Sequence, residues 1–126
     1  MNYIQIQITF PTEELAHKMA TKLVQEKLVA CAQVCGTVQS VYIWKGVCET
    51  SRETLLLAKT TSSLFERLES AVRADHPYEC PQIVALPIVA ANADYLDWLN
   101  KQLREISRKK ETESTKLENS YLPCDS

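Results

Sequence analysis

The side chains best suited to chemistry crowd into one short segment, His76-Pro77-Tyr78-Glu79-Cys80-Pro81. Imidazole, carboxylate and thiol within five residues are all competent metal ligands, and an imidazole also titrates near neutrality. Prolines inside and at the end of the segment restrict its backbone and would fix the directions of those side chains. The same residues have a purely structural explanation, in which His76 caps the preceding helix and the prolines set a turn. Elsewhere the chemistry is thinner. Cys31 and Cys35 are four residues apart, which on a strand separates them by about 13 Å. That is too far for two sulfurs each about 2.3 Å from one zinc ion. It is also too far for a disulfide unless Gly36 folds the segment sharply. Each cysteine therefore reads first as a small buried thiol. Lys59, at the end of an apolar strand, would either hold an anion or reach solvent from the rim. His17 lies beside no nucleophile, and Glu13-Glu14 are accounted for as acids at a helix start. No nucleophile–base pair is visible, so an enzyme is not expected.

The elements that must position these residues follow from periodicity. Ile4, Ile6, Ile8 and Phe10 alternate with Gln5, Gln7 and Thr9, as a strand requires. Pro11-Thr12-Glu13-Glu14 then supplies a stop, an N-cap and acids for the positive end of a helix, whose apolar stripe is Leu15, Met19, Leu23 and Val24 with Ala16 and Ala20. A second strand is expected from about 29 to 45, with a bend or bulge at Gly36 and a hairpin turn at Lys45-Gly46. The third runs from about 49 to 60. Ser63-Leu64-Phe65-Glu66 has the pattern of a capping box, opening a helix that buries Leu64, Leu68 and Val72 and stops before His76-Pro77. Ile83 to Val89 is a fourth strand, which Pro87 assigns to an edge or a bulge. Asn92 or Asp94 would cap a last helix carrying Tyr95, Trp98, Leu99, Leu103 and Ile106. The order βαββαβα is that of an α+β, ferredoxin-like split βαβ sandwich.

Composition bounds the function. With 126 residues, 45% hydrophobic and 24% charged, the chain suits one core-bearing domain. Residues 1–107 would form it, and the mixed-charge segment 108–126 would be a polar, mobile tail. A net charge of −2 counts against nucleic-acid binding. Two glycines exclude a glycine-rich phosphate cradle. No apolar run approaches a membrane span. No signal peptide is visible, so a reducing cytoplasm with mostly free thiols is the expected setting. Tyr42-Ile43-Trp44 and Leu55-Leu56-Leu57 place apolar side chains on both faces of their strands, whereas helices cover only one. The second face is expected to pack on another copy of the chain.

Five segments taken in order carry a resemblance. They are Ala30-Cys31-Ala32; Tyr42-Ile43-Trp44-Lys45-Gly46; Glu53-Thr54-Leu55-Leu56-Leu57-Ala58-Lys59-Thr60; His76-Pro77-Tyr78-Glu79 with Pro81; and Asp94-Tyr95-Leu96-Asp97-Trp98-Leu99. Over about residues 3 to 103 the chain resembles the CutA family of divalent-cation tolerance proteins. The resemblance implies a ferredoxin-like protomer in a tight homotrimer akin to the PII signalling proteins, and a link to metal tolerance through binding of copper, with zinc as the second choice. It implies Cys31 and His76 as metal-contacting residues, with Glu79 beside them. It places Tyr42, Trp44, Lys59, Tyr78 and Trp98 near clefts between subunits. Cys35 and Cys80 depart from the family pattern. A non-enzymatic metal-binding trimer is one expectation. The alternative is a sensor that binds a small molecule or a partner protein in the inter-subunit cleft.

Overall fold

A computed structural model describes residues 2–105 of the chain. Its elements are β1 (Tyr3–Phe10), α1 (Glu13–Gln25), β2 (Cys31–Trp44), β3 (Val47–Thr61), a single 3-10 turn (Ser62–Leu64), α2 (Phe65–Asp75), β4 (Ile83–Pro87) and α3 (Ala93–Gln102). The four strands form one sheet in the order β2-β3-β1-β4, with every neighbouring pair antiparallel. Each helical crossover therefore joins two strands separated by a third, the ferredoxin-like arrangement expected from the element order. The expected tail, 108–126, and Ile106 lie outside the described residues.

The alternation in β1 does what its period demands. Ile4, Ile6, Ile8 and Phe10 are buried under the helices, together with Leu56 and Ala58 of β3. From α1 come Ala16, Met19, Ala20 and Leu23, and from α2 Leu68 and Val72. Val24, expected in the α1 stripe, is instead exposed, because the buried arc is centred on Ala16, Met19, Ala20 and Leu23 and leaves it at the margin. Thr12 caps α1, its hydroxyl accepting from the Leu15 N–H at 3.2 Å. The capping box expected at the start of α2 does not form. Ser63 sits inside the 3-10 turn, its hydroxyl shared with that of Thr61 at 3.1 Å, and no side-chain cap hydrogen bond opens the helix. Pro87 closes β4, an edge strand, where the missing N–H does not interrupt the sheet.

Two irregularities shape the long strands. Lys45 (φ 51°) and Gly46 (φ 81°) form the two-residue hairpin turn, a positive-φ pair that matches the twist of the strands. At Gly36, β2 carries one extra residue, so that pairing passes from Cys35↔Leu55 directly to Thr37↔Thr54. β1 ends opposite Thr54, whereas β2 and β3 continue together to Trp44↔Val47. The result is a two-stranded arm extending past the four-stranded sheet.

Candidate functional site

The register assigns side chains to faces. On β3, Glu53, Leu55, Leu57 and Lys59 point away from the helix-covered core. Cys31, Gln33 and Cys35 share that face through their pairing with Lys59, Leu57 and Leu55. Beyond the bulge the parity of β2 changes. Val38, Ser40, Tyr42 and Trp44 now lie opposite Glu53, Ser51, Glu49 and Val47, on the same helix-free face. Uninterrupted pairing would have turned Tyr42 and Trp44 to the other side, since a one-residue slip reverses every side chain. The extra residue at Gly36 is thus what brings the two aromatics to the face of Glu53.

Because β1 stops at Phe10, a notch opens beside Glu53, and the loop after α2 fills it. His76, the residue that ends α2, stacks its ring on Phe10 with centroids 4.6 Å apart. Its Nε2–H donates to the Thr9 carbonyl at 2.8 Å, and its Nδ1 accepts the Tyr78 N–H at 3.1 Å. A carbonyl can only accept and a backbone N–H can only donate, so the ring is the neutral Nε2–H tautomer with both nitrogens in use. Burial holds the imidazole below its ordinary pKa, a trend that the Thr9 carbonyl and Glu53 oppose. The chain then turns around the end of β1, and the Tyr78 hydroxyl donates to Glu53 Oε2 at 2.8 Å on the helix-free face. Burial, followed by the hydrogen bond and charge of Glu53, pushes the Tyr78 phenol well above its usual range. Glu53 itself is 7% exposed. Around it lies a cavity of about 680 Å³ walled by Tyr42, Trp44, Tyr78 and Ser40, with Glu79 and Cys80 at its loop side. Tyr42 is held by its hydroxyl against Ser51 Oγ at 3.2 Å.

A second cluster lies at the other end of β3, about 20 Å away by strand rise from Glu53 to Lys59. Cys31 is opposite Lys59, and its Sγ is 3.1 Å from the Tyr95 hydroxyl. The phenol is pushed up to about 12 by burial and by the bond to the thiol. Tyr95 packs near Trp98, ring centroids 5.7 Å apart, and Lys59 Nζ donates to Gln33 Oε1 at 3.3 Å.

The expected site residues therefore divide. Tyr42, Trp44, Tyr78 and Glu79 meet at the cavity, while Cys31, Lys59 and Trp98 gather with Tyr95 at the other end. On α3, Trp98 is exposed and Leu99 is buried. Cys31 and His76 are not neighbours. Their rows on β3, at Lys59 and Leu55, are about 13 Å apart, and the two side chains lie on opposite sides of the sheet. Among the described residues, no three of His, Cys, Asp and Glu come together as a metal site. The expectation of buried thiols is also corrected. Cys31 and Cys35 are half-exposed and free, Cys48 is exposed and free, and Cys80 is disulfide-bonded, so Cys80 offers no thiolate. Cys48 lies on the arm and Cys31 on the helix-free face, where one protomer supplies little cover. Glu53 and Tyr95 escaped the analysis of the sequence. The signal for Glu53 was present in the period of β3, which places its carboxylate on the face of Leu55 and Leu57.

Fold and site together define a class: an α+β, ferredoxin-like protein with an extended hairpin and, beside it, a cleft lined by aromatic and acidic side chains. The model of the CutA1 divalent ion tolerance protein family matches residues 4–102, and the chain belongs to that family. It is 47% identical over 94 residues to the divalent-cation tolerance protein CutA of Thermus thermophilus, covering 75% of this chain and 91% of that protein. It is 39% identical to a chloroplastic CutA 1 of Oryza sativa, covering 81% of this chain but only 58% of the relative. Among solved structures, CutA1 from Oryza sativa superposes with a TM-score of 0.82 at 38% identity, covering 84% and 97% of the two chains. The Thermus thermophilus protein gives 0.79 at 43% identity, covering 81% and 99%.

Proposed function

We propose that this chain serves divalent-cation tolerance as a non-enzymatic homotrimer that binds copper, or zinc as a second choice, through ligands drawn from more than one protomer. The metal here is cargo. The observation that carries this reading is the state of Cys31: a soft donor, half-exposed, free, and held by Tyr95, with no group of three His, Cys, Asp or Glu among the described residues of its own protomer to close a site. Thiolate favours copper and zinc over magnesium or calcium. Glu79 is exposed and accessible to a cation. His76 could coordinate only after Nδ1 released the Tyr78 N–H, so Cys31 is the ligand on which the reading rests. The bare arm supports assembly, since Val41, Ile43 and Val47 are 68%, 59% and 57% exposed on a two-stranded ribbon that cannot cover them. No described helix is long and apolar enough to cross a membrane; the free thiols of Cys31, Cys35 and Cys48 favour a reducing compartment such as the cytoplasm, and the disulfide at Cys80 counts against it.

Native mass spectrometry of chelator-treated protein, titrated with copper, tests the proposal. A trimer taking up metal in multiples of three, with uptake lost in Cys31→Ser, is the expected result. A trimer that stays metal-free in excess copper overturns it.

The cavity beside Glu53 favours a second reading, in which the cleft receives a small molecule and the protein acts as a sensor. Its volume lies within the range of about 300–1,000 Å³ typical of ligand sites. A ligand that binds only the folded chain raises its apparent stability, so a thermal-shift hit that survives chelator would support this reading.

A further inference from the structure

We infer that the cleft around Glu53 is a site for an organic cation, a ligand bearing an ammonium or guanidinium group; the inference rests on the cleft's being a small-molecule site. Glu53 is a carboxylate withdrawn from water, and such a group is costly unless its charge is matched. Its partner in the fold is a neutral phenol, Tyr78, at Oε2. Among the described residues of its own protomer no Lys, Arg or His forms an ion pair with it. The charge left over borders a cavity lined in part by Tyr42, Trp44 and Tyr78. Aromatic faces carry negative potential and attract weakly hydrated cations within about 6 Å of the ring centroid. The fold already shows one such contact at the tip of the arm, with Lys45 Nζ 5.8 Å from the centroid of the Trp44 ring.

A metal ion suits the site poorly. The cavity is far larger than an ion, and no three acidic, imidazole or thiol groups converge there. Hard divalent cations require six or more oxygen ligands, and the two carboxylates that line this cleft, Glu53 and Glu79, supply too few. A carboxylate in a cleft partly lined by aromatic side chains instead matches a cation that is large, apolar at its periphery and cheap to dehydrate.

The chain contains two tryptophans, so the indole N–H signals of Trp44 and Trp98 in the NMR spectrum separate binding at the cleft from binding elsewhere. The full chain is titrated with choline, with agmatine, and with the uncharged isostere of choline in which a tert-butyl group replaces trimethylammonium. The expected result is a saturable shift of the Trp44 signal with both cations at millimolar concentration, and binding of the isostere weaker by at least tenfold. Glu53→Gln, which keeps an acceptor for the Tyr78 hydroxyl and removes the charge, should weaken choline binding at least tenfold. Tyr42→Leu, on the exposed arm, should weaken it several-fold and serves if the Glu53 variant does not fold. Equal binding of choline and its isostere, or full binding by Glu53→Gln, overturns the cation assignment and leaves the cleft as a small-molecule site. No shift of Trp44 with any of the three probes overturns both.

Discussion

One imidazole joins three parts of the molecule. His76 ends α2, stacks on the core ring of Phe10, and ties the loop before β4 to the last turns of β1 through Thr9 and Tyr78. This is close to the structural role that the sequence left open beside metal ligation, with the ring bound to β1 instead of to the end of its own helix. Replacing the side chain by alanine removes a buried stack and two hydrogen bonds, which should cost about 2–4 kcal/mol. The acid sensitivity follows from the same geometry. Nδ1 accepts a hydrogen bond in the fold, so protonation breaks it, and burial lowers the folded pKa below the ordinary value of 6.5. The unfolded chain then binds the proton more readily. The stability contributed by the neutral ring is complete above that value and is lost as pH falls through it toward the lowered folded pKa. Thermal unfolding followed from about pH 8 to about pH 5 should show a falling midpoint in the parent chain and a flatter profile in His76→Ala. Equal slopes would show that this ring does not carry the acid response.

At the scale of elements, the strands and helices were largely legible because apolar period and burial coincide in β1, α1 and α2. The hairpin at Lys45-Gly46 and the irregularity at Gly36 were legible too, although the consequence of the latter was not. A bulge changes which face every later residue occupies, and that depends on pairing with β3, which no local pattern reports. The end of α1 holds another feature hidden from periodicity. Leu28 N–H bonds the Leu23 carbonyl and Lys27 N–H bonds that of Val24, a Schellman ending in which Lys27 takes φ 58°. A side chain in that conformation costs about 1–2 kcal/mol, part of which glycine gives back as unfolded-state entropy. Lys27→Gly should therefore stabilise the chain by about 0.5–1 kcal/mol, read as a higher urea midpoint at unchanged slope. A lower midpoint would mean that the lysine side chain contributes contacts that outweigh the relief.

At the scale of the whole molecule, the arm is the part a single protomer cannot explain. A two-stranded ribbon is marginal in water, and this one exposes Val41, Ile43 and Val47. Carrying lysine at both Val41 and Ile43 should leave the protomer folded, since its core is built from β1, β3, α1 and α2. The same change should abolish higher assemblies in native mass spectrometry. An intact oligomer with an unchanged circular dichroism spectrum would place the interface elsewhere. The candidate site divides along the same line. Cys31 and the aromatic cleft stand at opposite ends of one face, and only contacts between protomers could bring the two into a common function.

The order of elements, the Thr12 cap and the hairpin turn, most of the core and the family were written in the sequence, because each depends on residues close together in the chain or on a period that repeats along it. The tertiary structure decided what lies beside what. It separated Cys31 from His76, engaged both nitrogens of the imidazole, and set a buried Glu53 among Tyr42, Trp44 and Tyr78. Those outcomes follow from strand lengths and pairing register, in which β1 ends while β2 and β3 run on, and such long-range relations leave no mark on any short stretch of sequence.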